Sequence, residues 1–281
     1  MRMARAGITT RNDFPRRERR DRGESLLLPQ RQVRPIMKIL GIDIGGSAVK
    51  GAPVDTKTGR LLANRYRIPT PEVLTPAQMA RAVADIAAHF KWRGPIGVGF
   101  PGVIHGTRIM TSSNLDKRFI GCDGGKLFAK ATGRPVSLIN DAAAAGLAEM
   151  KFGVGRGYQG KALLLTLGTG VGSALFYRGV LIPCELGHLP MKGKAAEKWV
   201  AASVKEKKNL SWSVWGHRLS KYVRVLEKIL WPELIIIGGG VSAKHGKFFK
   251  FIRPRAKLVP AEFLNQAGIV GAALWAEEHQ K

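Results

Sequence analysis

The chain is short of three things, and each shortage excludes something. It has two cysteines, Cys122 and Cys184, too few for a disulfide framework and not spaced as a metal knuckle. Both read as ordinary reduced thiols. It has no run of about 18 apolar residues to span a bilayer, and no apolar segment ending in a small-residue cleavage site opens it. A cytoplasmic protein with no membrane partner is the resulting expectation. Acidic residues are also scarce, with 20 Asp and Glu against 46 Lys and Arg, a net charge of +26. A surplus of that size attracts a polyanion by counterion release, whatever the polymer. The competing reading is a set of solvated lysines.

The chain does have the material for a core. At 281 residues and 45% hydrophobic it is long enough for two lobes. Residues 1–36 hold ten Arg against four acids and no hydrophobic periodicity, so a disordered basic arm is expected there. That arm contributes +6 and leaves +20 on the remainder, so the polyanion argument does not depend on it. It reads as a basic tether or as an upstream start ahead of Met37, the second being preferred.

The stretch 137–146 is where the chemistry is expected. Val136, Leu138 and Ile139 read as a buried strand, and the small-residue run after them reads as a helix. Asn140 and Asp141 therefore fall at a strand end and a helix start, where α/β sheets bind ligands and a carboxylate can take a proton from a hydroxyl. A helix cap explains the same pair equally well.

Before that point, an apolar strand over 39–44 leads through Gly45-Gly46-Ser47 into a second strand over 48–55, with a third expected over 61–66. Connections this short force antiparallel neighbours. The glycine pair lets backbone N–H groups approach an anion, with Ser47 and Lys50 as further donors; a plain hairpin turn competes. Thr75-Pro76 begins a helix with Met79, Val83, Ile86 and Phe90 on one face. A strand over 96–100 ends at Pro101-Gly102, and 112–116 is a polar loop.

After it, a Leu-rich strand over 161–167 runs into Gly168-Thr169-Gly170 and at once into another strand. A dinucleotide fold needs a helix there, so the glycines are not a Rossmann fingerprint. The segment repeats the Gly45-Gly46-Ser47 architecture, which suggests a duplicated fold with a cleft that holds phosphate from both sides. Glu185 and His188 can bond sugar hydroxyls or form a plain surface pair, and they lack partners for zinc. Lys192, Lys194, Lys198, Lys205, Lys207 and Lys208 make a basic stretch. A helix over 213–231 is expected to bury Trp215, Tyr222, Leu226 and Ile229. A buried strand over 234–237 then turns at Gly238-Gly239-Gly240, and a last helix over 266–278 carries Ala267, Val270, Ala273 and Leu274 on one side.

In this order the pieces resemble the ROK sugar kinases of the actin-like ATPase superfamily, and among them those that use polyphosphate. The strings that carry the resemblance are GIDIGGSAVKG, GVGFPGVIHG, SSNLDK, LINDAAAAGLAEMKFGVG, LTLGTGVGSA, ELGHL, AASVKEKK, IIIGGGVS and NQAGIVGAA. It covers nearly everything after Met37. The family's cysteine-rich zinc motif is missing and the spacing from Glu185 to Gly238 is short, as in its zinc-free polyphosphate members.

The resemblance implies an α/β, two-lobed, actin-like ATPase (ribonuclease H-like, duplicated) fold. Its small lobe would be 37–139 with the helix 265–281 packed back on it, and its large lobe 140–264. It implies Asp141 as general base, with Asn140, Glu185 and His188, and also Gly102, Asn114 and Asp116, around the sugar. Asp43 would lie near Mg2+ through water. Gly45, Gly46, Ser47 and Lys50, with Gly168, Thr169 and Gly170, would lie near the donor phosphates, and Gly239 and Gly240 near the adenosine of ATP. Lys192, Lys194 and Lys205 are candidate polyphosphate contacts. The implied activity is transfer of phosphate from polyphosphate, ATP or both to glucose or mannose, by a homodimer without zinc. The alternatives are an ATP-only hexose kinase and a sugar-sensing DNA-binding regulator. The regulator would carry a helix-turn-helix ahead of the first strand, where only the Arg-rich arm stands, so no specific nucleic-acid partner is expected.

Overall fold

Strands in which nearly every residue is apolar need cover on both faces. Two such segments, KILGIDI and KALLLTL, each lie at the centre of a sheet. The computed structural model describes residues 38–70, 74–112 and 115–279, all within one compact unit. The Arg-rich segment 1–36 and Asn114 lie outside the described residues.

The first sheet is formed by β1 (Lys38–Ile44), β2 (Ala48–Asp55), β3 (Arg60–Leu61), β4 (Tyr66–Pro69), β5 (Ile96–Phe100) and, past a small hairpin of β6 (Ile104–His105) and β7 (Arg108–Ile109), β8 (Val136–Asn140). The second is formed by β9 (Lys161–Leu167), β10 (Val171–Tyr177), β11 (Val180–Pro183) and, past the hairpin of β12 (Pro190–Met191) and β13 (Lys194–Ala195), β14 (Leu234–Gly238) and β15 (Lys257–Pro260). Their orders are β3-β2-β1-β5-β8 and β11-β10-β9-β14-β15, with β4 also pairing β2. In each, an antiparallel hairpin is followed by parallel strands on the other side of its first strand. The duplication expected from the two glycine turns is therefore present. The expected strand over 61–66 is instead two short pieces, β3 and β4, separated by exposed Leu62, Ala63 and Asn64.

The helices are α1 (Pro76–His89), α2 (Gly124–Thr132), α3 (Asp141–Lys151), α4 (Glu197–Val200), α5 (Ala202–Lys207), α6 (Trp212–Leu230) and α7 (Ala267–Glu278). Thr75 and Gln78 form a capping box at α1, which buries Met79, Val83 and Ile86 against the first sheet. Helix α6 buries Trp215, Tyr222 and Leu226 against the second, but Ile229 is 59% exposed. It sits in the last turn before Trp231 ends the helix in a left-handed conformation, beyond the reach of the core.

Helix α7 departs from expectation more strongly. It is buried on all sides, with Ile269, Ala272 and Ala276 as enclosed as Val270 and Ala273. Its backbone lies directly on the first sheet, because Gly41 and Gly97 face Ile269 O and Ala272 O, where a Cβ would collide. Gly271 meets Ala144 O of α3 in the same way. The buried carboxylate of Glu149 ties the end of α3 to the approach to α7 by accepting from Glu262 N (2.9 Å) and Phe263 N (2.7 Å). Among the described residues no helix is long and apolar enough to cross a membrane.

Candidate active site

The parallel registers put the carboxyl ends of strands from both sheets on one rim. Asp43 pairs with Gly99 and Phe100 with Asn140 in the first sheet, and Thr166 with Gly238 in the second. A cavity of about 250 Å³ opens there. Of the residues expected at the site, Asp141, Asn140, Gly102, Glu185, His188, Gly46, Gly168, Thr169, Gly170 and Gly239 line it. The two glycine turns face each other, with Thr169 Oγ1 3.6 Å from where a Cβ on Gly46 would be.

Of the pair Asn140-Asp141, the capping role falls to the first residue. Asn140 is the cap of α3: its Oδ1 accepts from Ala143 N at 2.9 Å, while its Nδ2 donates to Gly102 O (3.1 Å) and Glu185 Oε1 (3.3 Å). That leaves Asp141 as the first helical residue, its Oδ1 held by Ala142 N–H at 2.8 Å and its side chain at the cavity wall. Burial, with the nearby negative charges of Asp43 and Glu185 adding to it and the Ala142 N–H opposing, pushes its carboxyl up to about 7. A carboxylate that titrates near neutrality is suited to exchanging a proton.

Glu185 is held by its neighbours. Ser173 Oγ on β10 donates to Cys184 O and accepts from Leu186 N, both at 2.9 Å, which clamps the chain on either side of Glu185. The segment 186–188 forms a single 3-10 turn that returns the exposed His188 toward the same rim. Burial raises the Glu185 carboxyl, and the charge of His188 opposes that rise.

Asp43 lies behind the first glycine turn. Burial raises its carboxyl, with Lys50 (Nζ 3.9 Å from Oδ2) and Arg65 opposing. Its oxygens lie against Gly268 in the first turn of α7, where the helix dipole favours a negative charge. Gly45, Ser47 and Gly240 adjoin lining residues in sequence, and neither they nor Asp43 and Lys50 form the cavity wall.

Other expected residues are engaged elsewhere. Asp116 caps the 3-10 turn at 117–119, and its ion pair and hydrogen bonds with Arg118 hold its carboxyl down at about 2. Lys192 and Lys194 are exposed on the β12–β13 hairpin, away from the cavity lining. Lys205 is on α5, whose first turn is bonded to the second glycine turn by Ser203 N to Gly168 O (3.1 Å) and Ser203 Oγ to Thr169 O (2.7 Å).

Glu197, Thr111 and Thr166 also line the cavity, and the sequence reading did not single them out. Glu197, 8% exposed on α4, had a local signal: it is an acid flanked by Ala195 and Ala196 inside an otherwise basic stretch. Among the described residues no group of three or more His, Cys, Asp or Glu is placed to hold a metal ion.

Comparison with known proteins bears on the family and the fold. The model of the ROK family matches residues 39–198. The chain is 43% identical over 236 residues to the polyphosphate glucokinase of Mycobacterium tuberculosis (strain H37Rv), covering 83% of this chain and 89% of that protein. Among solved structures, the inorganic polyphosphate/ATP-glucomannokinase from Arthrobacter sp. strain KM is similar with a TM-score of 0.83 and 43% identity, over 86% of this chain and 99% of that one. A ROK family glucokinase from Streptomyces griseus in complex with glucose and AMPPNP aligns with a TM-score of 0.73 over 86% of this chain and all of that one, at 21% identity a likeness of fold alone. The fold is the actin-like ATPase fold of these sugar kinases.

Proposed function

Because the chain belongs to the ROK family, we propose that it is a kinase that transfers a phosphoryl group from inorganic polyphosphate, with ATP as a second donor, to the 6-hydroxyl of glucose. The observation that carries this reading is the meeting, in one cavity, of Asp141, the Asn140–Glu185 pair and two facing glycine turns. The activities named for the two relatives at 43% identity support the choice of sugar and donor.

On this reading, Asn140, Glu185, His188 and Glu197 take the ring hydroxyls, and the hydrogen bond that Asn140 donates to Glu185 sets the two side chains in place before the sugar arrives. The N–H groups of the turns at 45–47 and 168–170 hold the donor phosphates. Asp141 accepts the proton of the 6-hydroxyl as that oxygen attacks the terminal phosphorus. The bridging P–O bond breaks, and a polyphosphate one unit shorter, or ADP, leaves with the bonding pair. The transition state is loose, so alignment and charge neutralisation matter more than the strength of the base.

Mg2+ fits the residues present. It usually takes one or two protein carboxylates and completes its shell with water and substrate phosphates, and Asp43 is a single carboxylate beside the first phosphate turn. When bound, it supplies positive charge to the donor phosphates; Asp43 would hold it through water.

The two sheets act as the cores of two lobes that close on the ligands and exclude water, which would otherwise accept the phosphoryl group. The test is a matrix of glucose and mannose against ATP and polyphosphate, with product measured as sugar 6-phosphate. Glucose phosphorylation by polyphosphate is the expected result. Activity with ATP and none with polyphosphate would leave an ATP-only kinase.

A further inference from the structure

The positive charge of this chain has a place. Segment 192–257 contains sixteen Lys and Arg and only four acids, Glu197, Glu206, Glu227 and Glu233. Three of those four are already occupied. Glu197 is at the cavity beside Lys198, Glu227 is buried and accepts from Ala256 N, and Glu233 accepts from Lys161 N and the Tyr158 hydroxyl.

Within this segment two lysines from different elements converge. Lys205, from α5, has its Nζ 4.1 Å from the ring centre of Trp212, and Lys247, from the 3-10 helix Gly240–Lys247, has its Nζ 5.8 Å from the same ring. Neither has a carboxylate within ion-pair distance among the described residues. The ring's quadrupole attracts each ammonium but leaves its charge without a counterion. An anion reaching both would supply it.

The platform is rigid and directed. Trp212 stacks on Phe248 (5.9 Å, 14°) and meets the edge of Trp215, whose Nε1 donates to Val200 O in the core. Both lysine-bearing elements start at the cavity. Helix α5 is bonded to the Gly168–Gly170 turn through Ser203, two residues before Lys205, and the 3-10 helix begins immediately after Gly239 of the cavity wall. A polyanion held at the turns and leaving the cavity along these elements would run toward this pair.

The chemistry of the platform selects among polyanions. The indole stacks on Phe248 and carries the two lysines, so a nucleobase would have to displace one of them to stack there, and base stacking is what holds single-stranded nucleic acid on such platforms. Lysine ammoniums are compact point charges suited to a bare phosphate chain.

Resting on the donor reading above, we propose that Lys205, Trp212 and Lys247 form a distal subsite for inorganic polyphosphate, which engages phosphates beyond the one transferred and sets a preference for long chains. The test compares the Lys205→Gln/Lys247→Gln double variant with a Lys207→Gln/Lys208→Gln control that removes the same charge from exposed positions on the neighbouring surface. The kinetic readout is the ratio of kcat/KM for long-chain polyphosphate to that for tripolyphosphate. The binding readout is calorimetric affinity for long-chain polyphosphate, without sugar, at two salt concentrations.

The expected result is a fall of about tenfold in both ratio and affinity for the double variant, with a shallower salt dependence, against about twofold or less for the control. An unchanged ratio and affinity overturns the proposal. So does an equal loss in the control, which would make the attraction diffuse, or an oligonucleotide that binds as tightly as polyphosphate and is lost with the same two lysines. If polyphosphate gives no turnover with any variant, the donor reading has failed. The calorimetry then still decides the subsite, by loss or retention of affinity in the double variant alone.

Discussion

Position for position, β1 and β9 correspond as Lys38 with Lys161 through Ile44 with Leu167, and each leads into a glycine turn and an antiparallel partner. At the next-to-last position the first strand has Asp43 and the second has Thr166. Around the first turn the chain adds a carboxylate, with Lys50 opposite it and the first turn of α7 beneath it. Around the second it adds Ser203, which bonds to two of the turn's carbonyls, and then the lysines of α5. On the proposed function, the two copies of one scaffold would serve different ends of a donor: the acidic copy suits a cation and the reacting phosphate, and the basic copy suits the rest of the chain.

The largest effect tests the element that stands between the copies. Asp141→Asn is expected to lower kcat by about 10³-fold, within the range for loss of a general base, while sugar affinity measured by calorimetry stays near normal. Near-normal turnover in that variant would sink the assignment. The equivalent pair tests the asymmetry itself. Asp43→Asn is expected to cost about a hundredfold in kcat and Thr166→Val only about threefold, because a neutral hydroxyl contributes a hydrogen bond and a carboxylate a full charge. Equal losses at the two positions would show that the turns are interchangeable.

The titration of Asp141 gives a third expectation. The base works when ionised, so kcat/KM should rise with pH through about 7 and then level off, with about a tenfold deficit one unit below that point. A profile flat from pH 6 to about 8 would mean that Asp141 carries no rate-determining proton.

Stability moves the other way. With its folded pKa above its unfolded one, the carboxyl is protonated in the folded chain and ionised in the unfolded chain between those values, so its ionisation costs stability as pH rises toward 7 and beyond. Asp141→Asn should therefore stabilise the fold more at pH 8 than at pH 5, by on the order of 1–3 kcal/mol of unfolding free energy, read from denaturant titrations, and no difference between the two pH values would contradict the burial argument. The smallest effect is at the second turn: Ser203→Ala should raise the KM for the donor about threefold and leave the KM for glucose unchanged.

Features that depend on neighbours in sequence could be read before the structure was known. The two hairpins, the antiparallel pairing and the junction at Asn140-Asp141 follow from short connections, glycine turns and a change of period, all local signals. The pairing of the two glycine turns across one cavity followed from their repetition. What could not be read depends on residues far apart or on the conformation that a loop adopts. Helix α7 has little amphipathic pattern because the first sheet and α3 both cover it, so its buried side could not be read from spacing. Asp116 pairs with Arg118 only in the turn that its own loop adopts. Glu197 stands out in its segment as an acid in a basic stretch, but it reaches the cavity only because α4 packs with α6, which its own segment does not show. The meeting of Lys205 and Lys247, separated by more than forty residues of sequence, is of the same kind.

The close approach of α7 to β1, β5 and α3 has a consequence for anyone who reads this chain through its mutants. Gly41, Gly97 and Gly271 each face a backbone carbonyl that cannot yield as a side chain can, so even alanine at these positions forces the helix off the sheet or away from α3. None of the three lines the cavity. In a scan of every substitution, scored by growth or activity, they should nevertheless score as severely as Asp141. Abundance, measured in parallel, would separate the two groups: the glycine variants would be depleted from the soluble fraction, whereas Asp141→Asn would accumulate as folded, inactive protein.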